Sequence, residues 1–272
     1  MYRRLGFDND SEIMDLKIYQ VDAFTSKPFG GNPAAIVPLT EWLPTEAMQN
    51  IALENNLSET AFFVPEGDEY GLRWFTPTFE IDLCGHATLA TGHVIFELLG
   101  SEQSVLRFRT KSGLLTVERD GGRLVLDFPA RPAMACDAPA GLVEAIGLAP
   151  KEILKARDYM LVYESESDVL AINPNFAELA RIPTHAVIVT APGETSDFVS
   201  RFFAPEVGVF EDPVTGSAHC TLIPYWAEQL VKTDMFARQL SARGGELYCE
   251  MHGERVKIGG NATLYMKGEI YV

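Results

Sequence analysis

Two stretches of this chain follow one plan, and that repetition limits the folds open to it. The run Asp82-Leu83-Cys84-Gly85-His86-Ala87-Thr88 leads into the apolar residues Leu89, Val94 and Ile95, which have helical spacing. The run Asp212-Pro213-Val214-Thr215-Gly216-Ser217-Ala218-His219 leads in the same way into Leu222, Ile223 and Trp226. Upstream, Arg73-Trp74-Phe75-Thr76-Pro77 is mirrored by Arg201-Phe202-Phe203-Ala204-Pro205. A strand–turn–helix unit is therefore present twice. Two units are too few for a solenoid, so the expectation is two facing lobes with both helix N-termini on one cleft. Amides at a helix start are unpaired and partly positive, and would hold an anionic group without a basic side chain. Each stretch taken alone equally fits a small-residue helix start packed in a core.

Composition bounds the partners. Hydrophobic residues at 47% and charged residues at 22% are globular values, and 272 residues suffice for two lobes. A formal charge of −16 argues against nucleic acid or an anionic membrane surface, and leaves a small anionic metabolite open. No apolar run has membrane-spanning length and no secretory signal opens the chain, so cytoplasmic residence is the default. Cys84, Cys136, Cys220 and Cys249 are far apart and unpaired in pattern, which signals neither a disulfide framework nor zinc. His86, His219 and Cys220 have no metal spacing on a shared helix face, so no metal is expected. His93, His185 and His252 read as residues satisfying local hydrogen bonds.

Along the chain, residues 1–13 read as a flexible leader, with Met14 an alternative start to Met1. A first strand covers residues 14–24. Asn32, held extended before Pro33, either points its amide into a cleft or caps a turn. A helix over residues 42–53 precedes Asn56-Leu57-Ser58-Glu59-Thr60, where Glu59 enters the strand 61–64. On its own Glu59 reads as an exposed strand-end residue; if buried, desolvation raises its pKa and makes it a proton carrier. Strands over 105–117 and 124–128 flank Asp120-Gly121-Gly122, and Pro129-Ala130-Arg131-Pro132 is the linker candidate. The lobes are thus placed at 14–128 and 129–272. The second is expected to hold helices at 140–146 and 176–182 and strands at 159–163, 169–172, 185–190, 239–243, 247–252, 255–258 and 262–272. Asp212 before Pro213 also reads as a capping residue for the helix that follows.

Gly31-Asn32-Pro33-Ala34-Ala35, Asn56-Leu57-Ser58-Glu59-Thr60-Ala61-Phe62, Leu83-Cys84-Gly85-His86-Ala87-Thr88 and Glu211-Asp212-Pro213-Val214-Thr215-Gly216-Ser217 together resemble the signatures of the phenazine biosynthesis PhzF-like proteins. The resemblance implies a diaminopimelate epimerase-like α/β (α+β) fold. Its two pseudo-symmetric lobes are each a mostly antiparallel sheet or open barrel wrapped around a central helix, and the last strand is a candidate to return to the first lobe. It implies Glu59 as general acid/base, Asp212 as acidic partner for polar substrate groups, and His86 and Ser217 as hydrogen-bonding residues. Gly85 and Gly216 would offer amides to a substrate carboxylate beside Asn32. The fold relatives use two facing cysteines; here Cys84 fills the first position and Thr215 the second. A threonine hydroxyl is too weak an acid or base for that role, which disfavours a racemase or epimerase. The family's type reaction moves a hydrogen on one face of a dihydro-hydroxyanthranilate, work for one carboxylate, with no cofactor expected. The resemblance also implies a homodimer, for which the strand at 61–64 is either a candidate edge or, equally, a core strand. A non-catalytic binding or interaction protein that kept the fold is the alternative.

Overall fold

Alternation sets the first strand: Leu16 and Ile18 are buried while Asp15 and Lys17 face solvent. The structure is a computed structural model that describes residues 14–272, so the leader assigned to 1–13 lies outside the described residues. The first half of the chain supplies β1 (Asp15–Ala23), β2 (Asn32–Pro38), α1 (Thr45–Asn55), β3 (Glu59–Glu66), β4 (Glu69–Phe75), β5 (Glu80–Ile81), α2 (Gly85–His93), β6 (Val105–Thr110), β7 (Gly113–Asp120) and β8 (Arg123–Pro129). The second supplies β9 (Met134–Ala135), α3 (Leu142–Ile146), β10 (Glu152–Lys155), β11 (Tyr159–Val162), α4 (Glu166–Ala171), α5 (Phe176–Leu179), β12 (Val187–Pro192), β13 (Phe198–Phe203), α6 (Gly216–Leu230), β14 (Asp234–Gln239), β15 (Gly245–His252), β16 (Arg255–Gly260) and β17 (Ala262–Tyr271).

Strand pairing makes the duplication explicit. From one edge the order is β17, β1, β2, β3, β4, β6, β7, β8, antiparallel throughout except for β2–β3 and β4–β6. From the other edge it is β9, β10, β11, β12, β13, β14, β15, β16, with β11–β12 and β13–β14 as the parallel steps. The two series have the same sense at every step. Antiparallel β8 and β16 join them, from Arg255 opposite Pro129 to Gly260 opposite Leu124. Each half also repeats a bidentate ion pair across its aromatic-Pro turn, Arg73 with Glu80 and Arg201 with Glu211. β17 lies against β1 along its length, so residues 262–271 complete the sheet of the first half.

Inside each half runs one apolar helix. Every residue from Gly85 to Gly92 of α2 is buried, which small residues permit: a Cβ on Gly92 would sit 2.7 Å from Val117 Cγ1. The helix continues through Val94–Leu98 in a wider π turn. Ala87, Leu89 and Ala90 of α2 share one hydrophobic core with Ala218, Leu222 and Ile223 of α6. The outer sheet faces are covered by α1 in the first half and by α3 to α5 in the second.

Two expectations are corrected and one open alternative is decided. Residues 169–172 belong to helix α4 and its end, because Ser165 and Asp168 close a reciprocal capping box ahead of them. The strand expected at 239–243 lies at Asp234–Gln239; beyond it Ser241 Oγ accepts from Gly244 N and turns the chain. Of the two readings open for the strand at 61–64, the core one holds, since β3 is buried there between β2 and β4. Among the described residues no helix is long and apolar enough to cross a membrane.

The turn before β2 ties the halves together. Gly31 has φ +61°, and a Cβ on it would fall 2.0 Å from the Ala23 carbonyl oxygen. Its N–H donates to Gly244 O and its carbonyl accepts from Arg243 Nε, both at 2.8 Å. Gly31→Ala is therefore expected to cost roughly 2–4 kcal/mol in urea unfolding. Gly67→Ala, with φ +67° but open space around it, should cost only about 1 kcal/mol. Equal costs for the two would show that the Gly31 contact is not what demands glycine.

Candidate active site

Local geometry delivers the site residues from element starts. Asn32 opens β2, Glu59 opens the parallel neighbour β3, and His86 is the second residue of α2. Cys84 and Thr215 are the extended N-cap residues of α2 and α6, and neither side chain caps its helix. The two helix starts meet. A Cβ on Gly85 would lie 3.4 Å from Gly216 Cα, and one on Gly216 would lie 3.5 Å from Gly85 Cα. Glycine at both positions lets two sets of unpaired amides converge. A cavity of ≈ 380 Å³ opens between the halves, walled by Glu59, Cys84, Gly85 and His86 from one side and Asp212, Thr215, Gly216 and Ser217 from the other.

The side chains around it form one network. Asn32, fully buried, offers Nδ2 to Asp212 Oδ1 at 2.9 Å and Val214 O at 3.0 Å, and lies 3.2 Å from His86 Nδ1. Cys84 Sγ is 3.5 Å from the same His86 nitrogen. On the ring's other side Nε2 lies 3.0 Å from Glu59 Oε2. That contact lacks hydrogen-bond alignment, so both buried atoms, and Asn32 Oδ1 with them, remain unsatisfied. Buried polar atoms without partners are rare in folded proteins, and their concentration at one cavity marks a place built to meet a ligand. The Thr215 hydroxyl donates to Asp212 Oδ2, and the Gln239 amide receives Thr215 N at 2.8 Å while donating to Asp212 O at 2.8 Å.

Electrostatics separates the roles. Burial pushes the Asp212 carboxyl up to about 6, against the His86 charge and the hydrogen bonds from Thr215 and Asn32. Burial opposes the His86 imidazolium, but Cys84 and Glu59 outweigh it and raise its pKa well above the ordinary histidine range. Burial and the Glu59 charge raise the Cys84 thiol. Glu59, Cys84 and His86 place ligand atoms within 4.8 Å of one another, the one such group among the described residues. These are the residues that could hold a metal ion, through the Glu59 carboxylate, the Cys84 sulfur and a ring nitrogen of His86. His219 is elsewhere, buried with Nδ1 on Thr215 O at 2.8 Å and its pKa lowered to about 4 by burial.

All nine residues singled out in the sequence lie in or against this cavity. Sequence reasoning missed Gln239, which holds Asp212 and Thr215, and the group Arg157, Asp158 and His185 on the far wall. The hydrogen bond expected of His185 is not a local one: its Nδ1 meets Asp158 Oδ1 at 2.9 Å, 27 residues away. Ser217 beside them is given by the family resemblance, and nothing local marks Arg157.

A sequence model of the PhzC-PhzF family, described as phenazine biosynthesis-like protein, matches residues 21–268. The chain is 54% identical over 259 residues to a Pseudomonas aeruginosa protein named an uncharacterized isomerase, covering 95% of this chain and 100% of the relative. A second uncharacterized isomerase of the same organism is 55% identical over 258 residues, covering 94% and 99%. The crystal structure of a PhzF family phenazine biosynthesis protein from Enterococcus faecalis superposes with a TM-score of 0.93 at 48% identity, covering 95% of this chain and 100% of that one.

Proposed function

Since the chain belongs to the phenazine biosynthesis-like PhzC-PhzF family, we propose that it is an isomerase that moves a proton on a small carboxylate-bearing metabolite with Glu59 as its single acid/base. One observation carries this reading: Glu59 Oε2 and His86 Nε2 sit 3.0 Å apart, unsatisfied, beside two converging helix starts. Glu59 takes a proton from a carbon next to the substrate's unsaturated system. The electron pair left behind spreads toward the carboxylate, where the amides at Gly85 and Gly216 meet the developing charge. The same carboxylic acid, after exchanging its proton with solvent, delivers one to another carbon on the same face, so no net proton is consumed. His86, with Nε2 beside the Glu59 carboxylate and unsatisfied, is free to donate to the substrate, while Asp212 accepts from an amino or hydroxyl group of the substrate. The step uses only groups of this chain.

Thr215 supports a one-base mechanism over a two-base one. Its hydroxyl is committed to Asp212, and no thiol faces Cys84 from the second half. The test is solvent exchange. The protein is incubated in D₂O with a panel of unsaturated cyclic amino and hydroxy carboxylates, and products are read by mass spectrometry and NMR. A turned-over compound should show a shifted double bond and deuterium at the new C–H position. Exchange at one carbon with inversion would instead indicate an epimerase, and no reaction across the panel would favour a binding protein.

A further inference from the structure

The far wall of the cavity has a composition that the proton-transfer reading does not use. Asp158 is almost wholly buried and accepts from Arg157 Nε at 3.1 Å, from Arg157 Nη2 at 2.9 Å and from His185 Nδ1 at 2.9 Å. Burial works against this carboxylate, but the hydrogen bonds from His185 and Arg157 together with the Arg157 charge hold it below the usual range. An ionised Asp158 locks both partners. His185 spends Nδ1–H on it and keeps Nε2 free, and the guanidinium is fixed in plane while Nη2 also reaches Ser217 Oγ at 3.2 Å.

The duplicated topology gives this group its meaning. In the first half Ala34 pairs with Glu59 across parallel β2 and β3; in the second Tyr159 pairs with Val187 across parallel β11 and β12. Asn32 stands two residues before Ala34, and Arg157 two before Tyr159. His86 and Ser217 each follow the helix-start glycine. Asn32 lies 3.2 Å from His86, and Arg157 lies 3.2 Å from Ser217. His185 stands two residues ahead of Val187, the position that answers to Glu59. The second half thus places Arg157 and Ser217 where the first places Asn32 and His86, with apolar Val187 in register with Glu59 and His185 two residues ahead of it. The cavity has an acidic pole at Glu59 and Asp212 and a basic pole at Arg157.

We infer that Arg157 and His185, locked by buried Asp158 beside Ser217, form a carboxylate clamp that orients the substrate with its reacting carbon toward Glu59. The inference rests on the inter-lobe cavity being the substrate site. A planar guanidinium with Nη1 unengaged and an adjacent hydroxyl match the two oxygens of a carboxylate, and the α6 amides lie next to that hydroxyl. A ligand with a carboxylate at one end and an amino or hydroxyl group at the other matches both poles; an uncharged or cationic ligand matches one.

Binding tests this without the physiological substrate. The full chain, labelled with ¹⁵N at arginine and histidine, is titrated with acetate, malonate, acetamide and inorganic phosphate at constant ionic strength. Saturable shifts of the Arg157 Nε–H and His185 ring signals are expected for the carboxylates and not for acetamide. Arg157→Gln should weaken carboxylate binding about ten- to hundredfold. Should that variant fail to fold with Asp158 unpaired, Ser217→Ala keeps the ion pair and should weaken binding severalfold. Glu59→Gln should bind carboxylates at least as well as the native chain. The clamp is overturned if no carboxylate moves the Arg157 signal, or if both clamp variants bind as the native chain does. Saturation by phosphate alone would overturn the carboxylate assignment. Glu59-dependent exchange in D₂O alongside anions that ignore Arg157 would sink the clamp and leave the isomerase reading standing.

Discussion

Glu59→Gln should lower turnover and solvent-deuterium incorporation by roughly a hundred- to ten-thousandfold, with ligand binding preserved. Gln keeps the shape and hydrogen-bonding reach of Glu but cannot take or return a proton. Among the described residues no other carboxylate lies beside His86 Nε2 to substitute for it. Asp212 accepts from Asn32 and Thr215, and burial and the Glu59 charge keep the Cys84 thiol protonated. Cys84→Ser should therefore cost far less, within about tenfold, because no thiol partner stands opposite it. The comparison is decisive in one direction: full turnover in Glu59→Gln together with its loss in Cys84→Ser would transfer the proton shuttle to the cysteine.

Asp212→Asn should lose about a hundredfold in turnover and yet be more stable than the native chain at alkaline pH. Burial raises this carboxyl from 3.8 to about 6 in the folded protein. The unfolded chain releases the proton near 3.8 and the folded one holds it until about 6, so folding becomes less favourable as pH rises across that interval. Above 6 the full penalty remains, on the order of 1–3 kcal/mol. The amide carries no charge and escapes it. Urea unfolding should show the variant ahead at pH 8 and level with the native chain near pH 4. A variant less stable at both pH values would mean that the Asn32 and Thr215 hydrogen bonds matter more than the buried charge. A gain in stability with a loss of activity is what a site held in an unfavourable state for its chemistry predicts.

The helix starts were legible because glycine leaves a mark in sequence: Gly85 and Gly216 align, and their flanking aromatic-Pro segments align with them. Asn32, Glu59, His86 and Asp212 were legible as motifs, but the cavity they share was not. Asn32 and Glu59 become neighbours only through parallel β2 and β3, a pairing that no local pattern encodes. Arg157, Asp158 and His185 were missed for the same reason. They come from the starts of two strands separated by a pair of helices, and their kinship with Asn32 and Glu59 is visible only once β11 and β12 are known to run parallel. The misreading at 169–172 had a different origin. An apolar run outweighed the Ser165–Asp168 capping box, a signal that was present in the sequence.

The return of β17 bears on how the gene could be rearranged. The strand series of the second half is contiguous from residue 134 to 260, whereas that of the first is split, with its outermost strand at the far end of the chain. Met14 and Val272 exchange backbone hydrogen bonds at 2.8 and 3.0 Å, so a short loop could join them without strain. A circular permutant cut at Asn261 and closed between Val272 and Met14 would list each half as one uninterrupted sequence, β17 through β8 and then β9 through β16. It should fold with the native cavity, and a first half expressed as 14–132 alone should not, because β1 would lose the partner that covers its edge.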